Sequence, residues 1–372
     1  MDLLLIQSQE HQTLPLSELK AVLETENIVS EIKVITNGLI HLKNLKNEKY
    51  INSYQILARR LGYTHEILEV ITDYNLENTE NNTIKDDFNK YIKNSDEKNI
   101  ENQLNIIFES FKNIEWKEYI NDTFAVRLKR FDKVPIDTIG FEKKLGGIIK
   151  LATKATVALN NPNSFIKLVI SKNKLFLTII RFKLNKKHFQ EVKPHKRPFF
   201  YPGSMNPKLA RGMVNLSKIK EGDLVLDPFC GTGGILIEAG LIGAKLIGSD
   251  INWKMKNGTN INLEHYGLTD YKLYHLDVRE MKLIDKVDAV VTDPPYGISS
   301  STGGENSENI FYQFLDSIAK NIKKDGIITI ASPDSLNLDH ILNELNFELI
   351  ERHKIKMHKS LTRVISVITK KS

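Results

Sequence analysis

Five short apolar runs recur through the second half of the chain: Leu224–Leu226, Lys245–Ser249, Tyr271–Leu276, Ala289–Thr292 and Ile327–Ala331. The segments between them are long enough for helices. Strands alternating with helices close most readily as a mostly parallel sheet with helices on both faces. Such sheets bind ligands beyond the carboxyl ends of their strands, so functional residues are expected directly after the runs. An aspartate follows each of the first four: Asp227, Asp250, Asp277 and Asp293. Phe347–Lys356 and Leu361–Lys370, joined by a short basic turn, are predicted to add an antiparallel hairpin and bring the sheet to seven strands.

The first half has another pattern. Thr123-Phe-Ala-Val-Arg-Leu-Lys-Arg130 alternates apolar and basic positions, which predicts a strand burying Phe124, Val126 and Leu128 and presenting Arg127 and Lys129 together. Helical apolar spacing runs from Ile139 to Leu159, and Phe165–Leu184 supplies two β-rich runs split by the turn at 171–174. Strand, helix and hairpin in that order read as an α+β module. Glu66–Glu101 carries ten acids and many asparagines with little apolar periodicity, and is read as a loose acidic excursion. A total of 372 residues accommodates two or three domains.

Lys and Arg number 52 against 46 Asp and Glu, a net +6 that favours an anionic partner. Between Arg181 and Arg211 nine basic residues face the single acid Glu191, interleaved with Phe182, Phe189, Phe199, Phe200 and Tyr201. Basic groups beside aromatics suit phosphate and base contacts, although four prolines there also suit a solvated connector. The single cysteine, Cys230, excludes an intramolecular disulfide and a Cys-rich zinc site and fits a reducing cytoplasm. The N-terminal run Leu3–Ile6 lacks the basic flank and length of a signal peptide and reads as a strand, and no targeting or membrane segment is expected.

Asp227-Pro-Phe-Cys-Gly-Thr-Gly-Gly234 leads straight into an apolar helical segment. Its glycines permit a sharp turn and close approach of backbone amides to a ligand, but it has no lysine for a phosphate-binding Walker loop. Asp250, 23 residues after Asp227, stands where a carboxylate can accept from ribose hydroxyls, and Asp277 closes the third run. Each acid taken singly also suits a helix cap. Glycine loop and acids together point to an adenosine-containing ligand.

Thr292-Asp-Pro-Pro-Tyr-Gly297 is the most informative string. Two prolines make a rigid bend that leaves carbonyls available. An Asp carboxylate and a Pro carbonyl accept both hydrogens of a planar exocyclic amine while Tyr296 stacks on the ring that carries it. Such an amine is a poor nucleophile because its lone pair is delocalised, and hydrogen bonds that favour a pyramidal nitrogen help aim it at an electrophilic methyl. No metal is required. Cys230 lies in the glycine loop, which disfavours ring-carbon methylation through a cysteine adduct.

At these residues the sequence resembles the class I S-adenosylmethionine-dependent amino-methyltransferases, over about residues 197–372. Arg197-Pro-Phe-Phe-Tyr-Pro-Gly-Ser-Met-Asn-Pro-Lys-Leu-Ala-Arg211 resembles the additional cofactor motif of their THUMP-containing branch. Phe124–Arg130 and Val157-Ala-Leu-Asn-Asn-Pro162 resemble the THUMP module, which implies binding to the tRNA acceptor region. The whole chain is similar to the archaeal tRNA guanine-10 N2-methyltransferases. The resemblance implies a ferredoxin-like part at 1–55, THUMP at 56–184 with the acidic insertion, a basic linker at 185–203 and a Rossmann-like catalytic domain at 204–372. It also implies S-adenosylmethionine as cofactor and tRNA as partner; the sequence requires no protein partner, so a monomer is expected, and the lone cysteine fits a cytoplasmic enzyme.

By the same resemblance Asp293, Pro294 and Tyr296 are the catalytic residues. Tyr201, Ser204, Asp227, Pro228, Cys230, Gly231, Thr232, Gly233, Asp250, Ile251, Asp277 and Val278 line the cofactor, with Asp227 and the glycines at the methionine moiety, Asp250 at the ribose and Asp277 with Val278 at the adenine edge. Arg127, Lys129, Arg130, Lys196 and Arg197 are the expected phosphate contacts. The sequence departs from the family at Ile298, where a basic residue is expected, and Ser299–Asn306 reads as a mobile loop. Two other readings are a methyltransferase acting on another tRNA or rRNA guanosine or on DNA adenine or cytosine, and a non-catalytic RNA-binding protein. The THUMP-like half argues against DNA, and the intact glycine loop, Asp293 and Tyr296 argue against a vestigial domain.

Overall fold

The computed structural model describes residues 1–47, 53–76, 104–132, 136–171, 174–184, 186–295, 307–358 and 361–371. Tyr296, Ile298, the 299–306 loop and residues 77–101 of the acidic excursion lie outside these residues; its first part, Glu66–Asn75, is not loose but forms most of a sheet strand (Thr64–Asn75), with Ile67 and Leu68 wholly buried. The chain runs β1 (Leu3–Gln7), α1 (Leu14–Thr25), β2 (Ile28–Thr36), β3 (Leu39–Asn47), α2 (Ser53–Arg60), β4 (Thr64–Asn75), α3 (104–110), β5 (Thr123–Arg130), α4 (Thr138–Thr153), β6 (Thr156–Val157), β7 (Ser164–Ser171) and β8 (Lys174–Lys183). It continues through α5 (Lys186–Glu191), α6 (Pro207–Leu216), β9 (Leu224–Asp227), α7 (Gly234–Gly240), β10 (Lys245–Asp250), α8 (Trp253–His265), β11 (Tyr271–His275) and β12 (Val287–Thr292). It ends with α9 (Ser307–Asn321), β13 (Ile322–Pro333), α10 (Leu338–Glu344), β14 (Phe347–His358) and β15 (Leu361–Lys370).

Two units result. One comprises Met1–Gln7, Ser30–Lys46 and His65–Lys183; the other comprises Ser8–Val29, Asn47–Thr64 and Leu184–Ser372.

The first unit is built on an eight-stranded sheet of order β2-β3-β1-β4-β8-β7-β5-β6. β5 and β7 run parallel with α4 between them in sequence, while β7 and β8 form an antiparallel hairpin. Phe124 and Val126 are buried in a core with Phe108, Phe111, Trp116, Leu145 and Ile149, and Leu128 packs against its edge. Arg127 is half-buried, whereas Lys129 and Arg130 are exposed. The helical spacing read over Ile139–Leu159 continues as helix only to Thr153. Lys154 takes a left-handed φ of 61° there, and the β-branched Thr156 and Val157 pair with β5 instead. Beyond the buried Leu145 and Ile149, the apolar Ile139 and Leu151 of α4 lie on the surface, 64% and 87% exposed.

The second unit holds a seven-stranded sheet of order β11-β10-β9-β12-β13-β15-β14. β11, β10, β9, β12 and β13 are parallel, and the β14–β15 hairpin adds antiparallel strands through β15. Apolar clusters on its two faces centre on Val225, Leu236 and Val291, and on Leu226, Val290 and Phe314. Helices α1 and α2 belong to this unit, through polar as well as apolar contacts. Leu14, Ala21 and Tyr63 join the core formed by α6. Glu18, wholly buried, accepts from the amides of Gly62 and Tyr63 (2.8 and 2.9 Å) and from Asn215 Nδ2 (2.8 Å). Buried Arg60 pairs with Glu26 at 2.7 Å and donates to Ile219 O at 2.9 Å, and Arg211 pairs with Glu238 at 2.8 Å. Charges taken from water persist only where partners satisfy them, so these contacts fix both segments in one arrangement.

Candidate active site

Parallel pairing of β9 with β10 and β12 brings the carboxyl ends of three strands together. Asp227 ends β9 and is only 1% exposed. Its Oδ1 accepts from Thr292 Oγ1 at 2.7 Å and from the Phe229 amide at 3.2 Å. Burial pushes its carboxyl up to about 7, against the two hydrogen bonds and with help from the negative charges of Asp250 and Asp293.

The following loop turns through Gly231 and Gly233, with φ of 53° and 78°. Thr259 of α8 donates to Gly231 O at 2.8 Å, and a Cβ at Gly233 would strike Thr259 Cγ2 at 2.9 Å, so the second glycine is needed for close packing. At Gly231 a Cβ would meet nothing nearer than Phe229 O at 4.0 Å, so this part of the loop borders open space. Pro228 O accepts from Ser249 at 3.1 Å. Cys230 is buried, its thiol pushed well up by burial, and serves as packing.

Asp250 ends β10. Its two oxygens accept from the amides of Gly231 (2.9 Å) and Asn252 (2.8 Å), while burial pushes its carboxyl up. Ile251 beside it is largely exposed. Asp277 opens a short 3-10 turn over Val278–Glu280 and accepts from the Arg279 amide at 2.9 Å and from its guanidinium at 2.5–3.0 Å. That guanidinium holds the Asp277 carboxyl below its usual range, and Val278 is buried. Asp293 and Pro294 follow β12 directly. Arg363 of β15 reaches Asp293 Oδ2 at 3.2 Å.

The segment upstream of α6 reaches the same loop. Ser204 Oγ meets Thr232 Oγ1 at 3.0 Å and donates to Tyr201 O at 2.7 Å, and the Tyr201 ring is half-exposed. Asn262 of α8 stitches the two together, accepting from the Phe199 amide and donating to Phe199 O and Thr232 O at 2.9 and 2.8 Å. Arg197 requires a correction. Expected on a phosphate-contacting surface, it is 4% exposed, donating to Val192 O at 3.1 Å with Nη1 3.5 Å from Thr232 Oγ1. Its guanidinium braces the glycine loop from behind. Lys196, Lys129 and Arg130 are exposed, and Arg127 is drawn to Val126 O (2.9 Å) and Glu142 (3.6 Å).

Asn262, Thr259 and Arg363 carried no signal in the sequence. The first two sit inside a polar helix, and Arg363 is brought in only by sheet order. Among the described residues no three His, Cys, Asp or Glu side chains gather as metal ligands, and no helix is long and apolar enough to cross a membrane.

A seven-stranded sheet with this glycine loop, these strand-end acids and an Asp-Pro-Pro bend defines a methyltransferase of the Rossmann-like class. The family model for the RMKL-like methyltransferase domain matches residues 194–365, and one for DNA methylases matches 27–260, a span that ends before Asp293. Among solved structures, TrmN of Thermus thermophilus shares the fold at a TM-score of 0.58 and 17% identity, covering 100% of both chains. The tRNA (guanine(10)-N2)-dimethyltransferase of Methanothermobacter thermautotrophicus is 42% identical over 99% of both chains, and that of Methanocaldococcus jannaschii 38% identical over 97%. The chain belongs to the tRNA (guanine(10)-N2)-dimethyltransferase family.

Proposed function

We propose that this protein methylates the exocyclic N2 amine of guanosine 10 in tRNA, twice in succession, using S-adenosylmethionine. The observation that carries the reading is the position of Asp293 and Pro294 at the end of β12, beside the glycine loop that follows the neighbouring strand β9. The residues fit the cofactor. A buried carboxylate at Asp227 suits an ammonium group, open space borders Gly231, and Asp250 with Asp277 and Val278 supplies acceptors and an amide for ribose and adenine. The bound cofactor supplies an electrophilic methyl on a sulfonium.

The Asp293 carboxylate and the Pro294 carbonyl accept the two amine hydrogens and turn the nitrogen lone pair out of the guanine plane. As the nitrogen bonds to carbon it becomes cationic, and Asp293 takes the proton it sheds. Tyr296 stacks on the guanine. A second transfer requires the monomethylated amine to re-enter with its remaining hydrogen on Asp293.

The THUMP domain read over 56–184, of which 65–183 lie in the eight-stranded unit, serves as the RNA-binding part, and Arg127, Lys129 and Arg130 meet phosphates. Lys196, exposed in the linker, is a phosphate contact of the second unit. The protein acts as a cytoplasmic monomer. Incubation with labelled S-adenosylmethionine and unmodified tRNA transcript, followed by nuclease mapping and nucleoside mass spectrometry, tests the reading. Dimethylguanosine at position 10, lost with Asp293→Ala, supports it; label in DNA or at another guanosine overturns it.

A further inference from the structure

Arg363 stands 70 positions after Asp293 in sequence, yet its Nη2 lies 3.2 Å from Asp293 Oδ2. The sheet explains the approach. β12 pairs with β13, β13 pairs with β15, and Arg363 sits opposite Pro333 at the carboxyl end of β13. Two strand spacings, roughly 10 Å, separate β15 from β12, so only a long side chain spans the gap. Alternation places Arg363 on the same face as Ile365 and Val367, which are buried in the cluster that holds Ala289 and Val291. The arginine stem continues that apolar layer and delivers its charge to the rim. Neither side chain is fully solvated, with 12% exposure for Arg363 and 19% for Asp293, so the pair is screened less than a surface pair.

We propose that Arg363 is a positioning residue for methyl transfer, holding Asp293 ionised and in one orientation. The inference rests on the reading of Asp293 as the amine acceptor. Asp293 stands near a second carboxyl, Asp227, and each negative charge opposes the other. Asp250 adds a third negative charge near Asp227. Beyond Thr362 the neighbouring charges, Asp334 and Lys354, neutralise each other at 2.8 Å. Arg363 is a cation set directly against Asp293, and it offsets the carboxyl repulsion. It engages one carboxylate oxygen, and the amine needs only one acceptor from this side chain. A guanidinium also fixes the carboxylate plane more firmly than an ammonium.

The test measures kcat, KM for tRNA and the pH–rate profile of the native protein, Arg363→Gln, Arg363→Lys, and Arg363→Gln in an Asp293→Asn background. Arg363→Gln is expected to lower kcat about tenfold or more at neutral pH, with KM for tRNA within about twofold, and to move the acid limb up by about one unit. Arg363→Lys is expected to recover part of kcat and return the limb. In the Asp293→Asn background Arg363→Gln should add no further loss. Native kcat and an unmoved limb in Arg363→Gln would overturn the inference. So would a raised KM for tRNA with an unmoved limb, which would mark a direct RNA contact, or an equal further loss in the Asn background. A native protein that transfers nothing to tRNA would instead overturn the reading of Asp293 itself, and the inference with it.

Discussion

Thr292 donates its hydroxyl to Asp227 at 2.7 Å, tying the last residue of β12 to the last residue of β9. The bond joins the base of the Asp-Pro-Pro bend to the base of the glycine loop, so the two motifs share one buried support. Replacing Thr292 by Val keeps the shape but leaves the buried Asp227 short of a donor. We expect a loss of about 1–3 kcal/mol in stability and about tenfold in affinity for S-adenosylhomocysteine, measured by denaturation and calorimetry.

The raised carboxyl of Asp227 makes a pH signature. Its ordinary value is 3.8 and its folded value about 7, so its contribution to stability is fully present below pH 4 and is lost as pH rises through 7. Asp227→Asn should remove that component, so the difference in melting temperature between native and variant protein should change in the variant's favour between pH 4 and pH 8. A cationic ligand group needs the ionised form, and affinity for S-adenosylhomocysteine should rise over the same interval in the native protein alone.

Lys196 and Arg197 are adjacent in sequence and opposite in setting. Lys196→Glu should weaken tRNA binding and lower the salt dependence by about one to two counterions. Arg197→Met should leave the salt slope unchanged and reduce cofactor affinity and stability, because a buried guanidinium behind Thr232 is lost. Filter binding across a salt series distinguishes them.

Gly258 lies under Phe199: a Cβ there would come within 2.0 Å of Phe199 Cδ1. Gly258→Ala should push the 199–204 segment off α8 and disturb the Ser204–Thr232 contact. KM for S-adenosylmethionine is expected to rise several-fold while tRNA affinity holds.

Arg211 and Glu238 form a pair with almost no solvent contact. Arg211→Leu strands Glu238 and should destabilise the protein by about 3–5 kcal/mol, read from urea unfolding. The double variant with Glu238→Leu should recover much of that loss.

The sequence by itself determined the parallel sheet, its terminal hairpin and the acids Asp227, Asp250, Asp277 and Asp293, because each is a local signal. A short apolar run closed by an acid needs only its own neighbours to be read, and a strand that ends there must deliver its loop to the ligand edge. Tertiary structure decided what depends on distant partners. It ended α4 at Thr153, where Thr156 and Val157 found β5; it turned Arg197 inward against Thr232; and it grouped α1 and α2 with α6 through Glu18, Arg60 and Asn215. It also set Arg363 against Asp293 across β13. None of these has a periodicity or spacing of its own, since a buried charge is placed by whichever partner the finished sheet and helices bring within reach.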